Sequence, residues 1–252
     1  MSEIVLSVRE LCKTYRVGTH RIHALRNVSF NLLQGEMLAI MGMSGSGMST
    51  LLNILGVMDK PDRGRILLQG KDITDKLRES QAIAYRSDSI GFIYQSYHLL
   101  KNLTVEDNIA LPLIMKELDC QYILSEVNSM LALLGLEKWR SHRPIELSGS
   151  QQQRVAIGRA LISNPALILA DAPTGNLANN ATSNILTSLH QIKQEKERSI
   201  IIVTHDAYVA SQADRVLFFH DGFIFDEWLC TSEHDNLDII LSKTKGILEG
   251  VG

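Results

Sequence analysis

The stretch Gly42-Met43-Ser44-Gly45-Ser46-Gly47-Met48-Ser49-Thr50 constrains this chain more than any other. The apolar run Glu36–Met41 before it has the length of a buried strand, and Leu51, Leu52, Ile54 and Leu55 after it fall at helical spacing. A glycine-rich turn from strand to helix lets backbone N–H groups point inward at a helix start, where an anion is favoured. The spacing matches the phosphate-loop pattern G-x-x-x-x-G-K-[ST] except at the lysine, where this chain has Met48. The window from Met37 to Met58 has no charged residue and by count is long enough to cross a bilayer. Its Gly/Ser centre makes a poor helix and a good loop, so no membrane span is expected.

Around this loop the chain reads as alternation. Strands are expected at Ile4–Val8, His23–Leu32, Arg65–Gln69 and Ser89–Tyr94, with Gly56 through Gly64 ending the helix after the loop. Thr104-Val105-Glu106-Asp107 reads as an N-capped helix start, with Pro112 expected to kink or interrupt that helix. A second helix is expected over Tyr122–Leu134. The last third predicts helix Gln151–Ile162, strand Ala166–Asp171, helix Thr182–Gln194 and strand Ser199–Thr204. Strands Asp214–Phe219 and Phe223–Glu227 then join across Asp221-Gly222. Such alternation implies a parallel sheet covered on both faces. Near the end, Asp235 is expected to cap a helix through Leu237, Ile240 and Leu241, stopped by Gly246.

Composition removes several classes of function. With 45% apolar and 21% charged residues, 252 residues can bury a core. Twenty-five Lys and Arg against 28 Asp and Glu give a net charge of −3, which argues against a nucleic-acid grip. Cys12, Cys120 and Cys230 lack ligand-like spacing and read as reduced thiols in a cytosolic protein. Met1-Ser2-Glu3-Ile4 has no basic region followed by an apolar run, so no signal peptide is expected.

The loop has companions in a fixed order. Gln95 ends the strand Ile90–Tyr94; Leu147-Ser148-Gly149-Ser150-Gln151-Gln152-Gln153-Arg154 leads into a helix; Leu167–Asp171 is an apolar strand ending in an acid. Pro173-Thr174-Gly175-Asn176-Leu177 comes next, and then Ile201-Ile202-Val203-Thr204-His205-Asp206. Together these strings resemble the ATP-binding cassette ATPases over nearly the whole chain, most of all the branch serving lipoprotein release, macrolide and peptide efflux, and cell-division complexes.

The resemblance implies an α/β fold: a P-loop NTPase core with a mainly parallel sheet, an N-terminal antiparallel β subdomain and a helical insert at about 99–150. Residues 1–231 would form one nucleotide-binding domain and 232–252 a helical tail. It implies ATP and Mg²⁺ as cofactors. Tyr15 would stack on adenine. Gly42, Ser44, Gly45, Ser46, Gly47, Met48, Ser49 and Thr50 would hold the phosphates, and Ser148, Gly149 and Ser150 would meet the γ-phosphate bound on a second cassette. Ser49, Gln95 and Asp171 would serve the metal, with Gln95 and His205 as catalytic contacts. The implied partners are a second cassette, in a homo- or heterodimer, and a separate transmembrane permease, with the chain peripheral on the cytoplasmic face of the membrane. A non-transport cassette acting as a scaffold or on ribosomes or DNA is the alternative; the single cassette, acidic balance and short insert oppose a ribosome or DNA role.

Four positions depart from the family pattern. Met48 replaces a lysine, Ala172 the glutamate beside Asp171, Ala178 an aspartate, and Ser150 the second glycine of its string. A residue needing positive φ at Ser150 would be strained. Asp206 is expected outside the line of attack and Lys60 too far beyond the loop helix, so no residue is expected to stand in. Hydrolysis is therefore expected to be strongly impaired.

Overall fold

The computed structural model describes residues 3–74, 79–196, 198–231 and 235–248. The chain opens with β1 (Ile4–Val17) and β2 (His20–Leu33), a long antiparallel hairpin. Next come β3 (Met37–Gly42), α1 (Met48–Leu55), β4 (Arg63–Leu68), β5 (Lys71–Asp72), α2 (Glu79–Ser89) and β6 (Ile90–Ile93). The middle holds α3 (Val105–Met115), α4 (Cys120–Leu133) and α5 (Gly149–Leu161). The remainder is β7 (Leu167–Asp171), α6 (Asn179–Lys196), β8 (Ser199–Thr204), α7 (Ala207–Ser211), β9 (Arg215–His220), β10 (Phe223–Leu229) and α8 (Asn236–Leu248).

Two sheets result. An antiparallel one runs β2-β1-β4-β5, and a six-stranded one runs β10-β9-β3-β8-β7-β6, parallel except for the β9–β10 pair. Both faces of the larger sheet are buried, and side-chain alternation assigns them. Met37, Ala39 and Met41 of β3 join Ile200 and Ile202 of β8 in one apolar cluster with the helices of the middle segment. Leu38 and Ile40 join Ile201 and Val203 in a second cluster with α1 and the antiparallel sheet. A strand buried on both faces reads as a continuous apolar run, which explains Met37–Met41 without a bilayer. Among the described residues, no helix is long and apolar enough to cross a membrane.

A nearly buried ion pair ties the two sheets together. Arg215 of β9 meets Glu36, just before β3, through Nε at 2.6 Å and Nη2 at 3.1 Å, while Glu36 accepts the Leu33 N–H at 2.7 Å. Arg215 also donates to the Asn31 carbonyl of β2 at 2.6 Å.

Several local expectations change. β1 runs to Val17, well past Val8, because pairing with β2 carries its polar half. α2 has no counterpart in the expected elements; its polar sequence lacks an apolar stripe. α3 passes through Pro112 unbroken, with Asn108, Ile109 and Leu113 buried; Pro112 removes the N–H that would reach the Asn108 carbonyl, one turn from the helix end. Thr104 and Asp107 form the expected start of that helix as a reciprocal cap. α8 likewise continues past Gly246 to Leu248, and Asp235 caps it by accepting the Asp238 N–H at 3.4 Å. The rest of the expected 232–252 tail lies outside the described residues.

Candidate functional site

The turn between β3 and α1 has the backbone that its glycines permit. Gly45 and Gly47 adopt φ of 83° and 108°. A Cβ at Gly47 would lie 2.1 Å from the Ala24 carbonyl oxygen, so only glycine fits beneath β2. The Ser46 carbonyl accepts the Gly222 N–H at 2.8 Å, anchoring the loop to the β9–β10 turn. The buried Ser46 hydroxyl has no hydrogen-bond partner among the described residues. A loop of inward-turned N–H groups with spare hydroxyls at a helix start fits a polyphosphate.

The loop borders a cavity of about 680 Å³. Ser44 through Thr50 form one wall, Tyr15 another, and Gln95, Asp171, Ala172 and His205 a third. These residues come from five separate stretches of sequence. Gly42 lies just behind: its carbonyl accepts a hydrogen bond from His205 Nδ1 at 2.6 Å. A carbonyl can only accept, so Nδ1 carries a proton and the ring's other nitrogen, Nε2, is left for the cavity. The Tyr15 hydroxyl donates to Asp59 at 2.5 Å, and Lys13 Nζ holds the same carboxylate at 2.7 Å. Burial raises the Tyr15 pKa, as does its bond to Asp59. Burial also raises the Asp171 carboxyl above its ordinary value, which the nearby His205 partly opposes.

Met48 shows what its substitution does physically. It is 4% exposed and belongs to the apolar cluster of Leu51, Leu52 and Leu55 while also lining the cavity, so the wall there is an uncharged thioether. Ala172 sits at φ 42° directly after β7, with no oxygen on its side chain. Asp171 and Ser49 supply hard oxygen donors suited to Mg²⁺, which needs only one or two carboxylates beside phosphate and water.

Three expected residues stand apart. Ser148, Gly149 and Ser150 begin α5 and do not line this cavity. Ser148 and Gln151 cap each other, and Ser150 lies in the first helical turn outside the positive-φ residues, so the strain expected there is absent. A Cβ at Gly149 would be 2.9 Å from the Tyr97 hydroxyl, which brings this helix start against the segment after Gln95. Tyr97 and His98 are held at φ 61° and 49°, with their carbonyls accepting from Arg159 of α5 at 3.0 and 2.6 Å. Gln95 itself exchanges hydrogen bonds with Asn176 at 3.3 and 3.1 Å.

The cavity also includes residues that sequence reasoning missed. Arg21, His23 and Arg26 of β2 line it, whereas Lys60 and Asp206 are not among its described lining residues. The only signal in sequence was the basic character of the segment after Tyr15, with Arg16, His20, Arg21, His23 and Arg26 in eleven positions.

The family model described as ABC transporter matches residues 25–175. The chain belongs to the ABC transporter family. The cassette is 39% identical over 225 residues to the lipoprotein-releasing system ATP-binding protein LolD of Legionella pneumophila (strain Paris), covering 89% of this chain and 99% of that protein. It superposes with a TM-score of 0.82 on the dimeric post-hydrolysis state of the ATP-binding cassette MJ0796 bound to ADP and Pi, at 37% identity, covering 90% of this chain and 99% of that one. It also matches cbiO1 from Clostridium perfringens, part of the ABC transporter complex cbiONQ, with a TM-score of 0.83 and 28% identity over 98% of this cassette and 95% of that chain.

Proposed function

We propose that the chain is the ATP-binding subunit of a lipoprotein-release or efflux type ABC transporter, in which nucleotide binding and dimer closure act on a separate permease while hydrolysis is strongly impaired. The observation that carries this reading is the single cavity uniting the phosphate loop, Asp171, Gln95 and His205, with apolar Met48 and Ala172 at the two positions where the family has a cation and a carboxylate.

The groups present define the chemistry. Loop N–H groups and the hydroxyls of Ser49 and Thr50 would bind phosphate, and Tyr15 would hold the base. Ser49 and Asp171 would hold Mg²⁺, which supplies charge neutralisation on the phosphates when bound. His205 presents Nε2 toward the cavity because Nδ1 is committed to Gly42. A lost charge-assisted bond is worth about 1.5–3 kcal/mol, so Met48 costs roughly ten- to a hundredfold in affinity. Absence of a general base costs about 10²–10⁴ in rate, and Ala172 offers no oxygen to replace it.

The same geometry bears on partners. Ser148 to Ser150 lie outside their own cavity, which suits a role facing nucleotide held by a second cassette. A groove of about 480 Å³ beside Gln95, lined by Tyr97, Leu99, Lys101, Pro144 and the 88% exposed Ile145, suits the permease. That partner would hold the chain peripherally at the cytoplasmic membrane face.

Two assays on purified protein test the reading: binding of a fluorescent nucleotide with Mg²⁺, and phosphate release with and without permease. Measurable binding with negligible release is expected. Rapid release overturns the impairment, and no binding at millimolar nucleotide overturns the nucleotide-binding role.

A further inference from the structure

We infer that Arg21 and Arg26 of β2 supply the cationic contact to the nucleotide's phosphates that the loop lacks at Met48. This rests on the nucleotide-binding reading and deepens it by naming the residues that neutralise the ligand.

The placement comes from a bulge. Across the hairpin, Thr14 pairs with His23, Lys13 with Leu25 and Leu11 with Val28, so β2 carries an extra residue at Ala24 and another within Arg26–Asn27. Bulges re-aim neighbouring side chains and recur next to active sites. Here the extra residue at Ala24 lays the strand over the phosphate loop, with the Ala24 carbonyl against Gly47. Two backbone bonds fix that position: the Arg26 N–H donates to the Gly222 carbonyl at 2.7 Å, and the Gly222 N–H to the Ser46 carbonyl at 2.8 Å. Arg26 is thus two hydrogen bonds from the loop, and Arg21 lies on the other side of the same bulge.

Charge points the same way. Both arginines line the cavity and are exposed, and neither guanidinium has a hydrogen bond or ion pair among the described residues. The acids facing the same space are Asp171 and Asp221, with His23 and His205 as the remaining titratable groups beside Tyr15. Asp171 is the group suited to a divalent cation, which leaves the phosphate charge to be met by other cations. Guanidinium suits this task, since its fork of donors matches phosphate oxygens and its charge persists at any physiological pH.

The test is a cycle on the full chain. Arg21→Ala, Arg26→Ala and the double variant are made both in the parent and in Met48→Lys, and AMP, ADP and ATP are titrated with Mg²⁺ by calorimetry. In the parent, the double variant is expected to weaken ATP binding about tenfold or more, with a smaller loss for AMP. In the Met48→Lys background the loss should shrink to roughly threefold or less, because the restored cation takes over the contact. Arginine-to-lysine replacements should retain most of the affinity, which separates charge from folding. Unchanged parent affinity, equal loss in both backgrounds, or equal loss for AMP and ATP would overturn the inference. Binding in neither background would overturn the nucleotide-binding reading and this inference with it.

Discussion

Met48→Lys separates what this side chain contributes to the fold from what its absence of charge removes from the site. Met48 is 4% exposed within the cluster that holds Leu51, Leu52 and Leu55. Fully burying a side chain of this kind is worth about 1.5–3 kcal/mol. A lysine stem recovers part of that by lying along the apolar wall with its amine turned to the cavity. The ligand-free variant should therefore be less stable by about 1–2 kcal/mol, a fall of roughly 2–8 °C in a domain of this size. Nucleotide acts in the opposite direction. Ligand at a hundred times Kd adds about 2.7 kcal/mol to the folded state. A ten- to hundredfold gain in affinity adds about 1.4–2.8 kcal/mol more at the same concentration. Thermal unfolding monitored with and without Mg-nucleotide should thus show the variant gaining about 1.4–2.8 kcal/mol on its parent, enough to cancel most or all of the ligand-free deficit. A ligand-free variant as stable as its parent, or equal protection of both chains, would refute the reasoning.

Other perturbations probe other parts of the molecule. The double variant Met48→Lys/Ala172→Glu should raise phosphate release at least a hundredfold; less than tenfold, with nucleotide bound, would show that Ala172 is not the missing base. Glu36→Ala should destabilise by about 1–3 kcal/mol in urea unfolding, because Arg215 loses its buried carboxylate and keeps only the half-exposed Glu227 at 3.1 Å and the Asn31 carbonyl, and Glu36→Leu with Arg215→Met should recover most of the loss. Gly47→Ala should abolish nucleotide binding, since its Cβ would lie 2.1 Å from a backbone oxygen; Gly18→Ala, with nothing within 4 Å, should leave binding intact and cost about 1–2 kcal/mol of stability at its positive φ. Asp171→Asn should raise the ligand-free midpoint at pH 7. Burial lifts the Asp171 carboxyl, so the folded chain keeps a proton that the unfolded chain releases, and stability falls as pH rises through that window. The gain should vanish below the ordinary aspartate range, and a gain that persists there would contradict the assignment.

The legible parts of this molecule are those where a local rule coincides with the tertiary need. Thr104 with Asp107, the apolar run into Asp171, and the glycines of the phosphate loop each announce their structure within a few residues. The hairpin was half read, because the second half of β1 is polar and is held by pairing with β2. α2 was missed for lack of an apolar stripe. Pro112 and Gly246 sit inside helices that run through them, so boundaries drawn from propensity alone fell short. At the site, motif order located the loop, Gln95, Asp171 and His205, all of which line one cavity. Arg21 and Arg26 escaped because irregularities in the pairing of β2, invisible in composition, set which way they face.

Arg159 grips two carbonyls just beyond Gln95 and is itself part of α5, the helix whose first residues are Ser148 to Ser150. That grip joins the Tyr97–His98 segment to α5, so a load on the segment would bear on that helix and on the Gln95 wall of the cavity. Linkage is symmetric, so whatever free energy a docked neighbour transmits inward through this joint, an occupied cavity returns outward in equal measure. Occupancy of the cavity would therefore be reported to its surroundings whether or not the nucleotide is turned over, by thermodynamics alone.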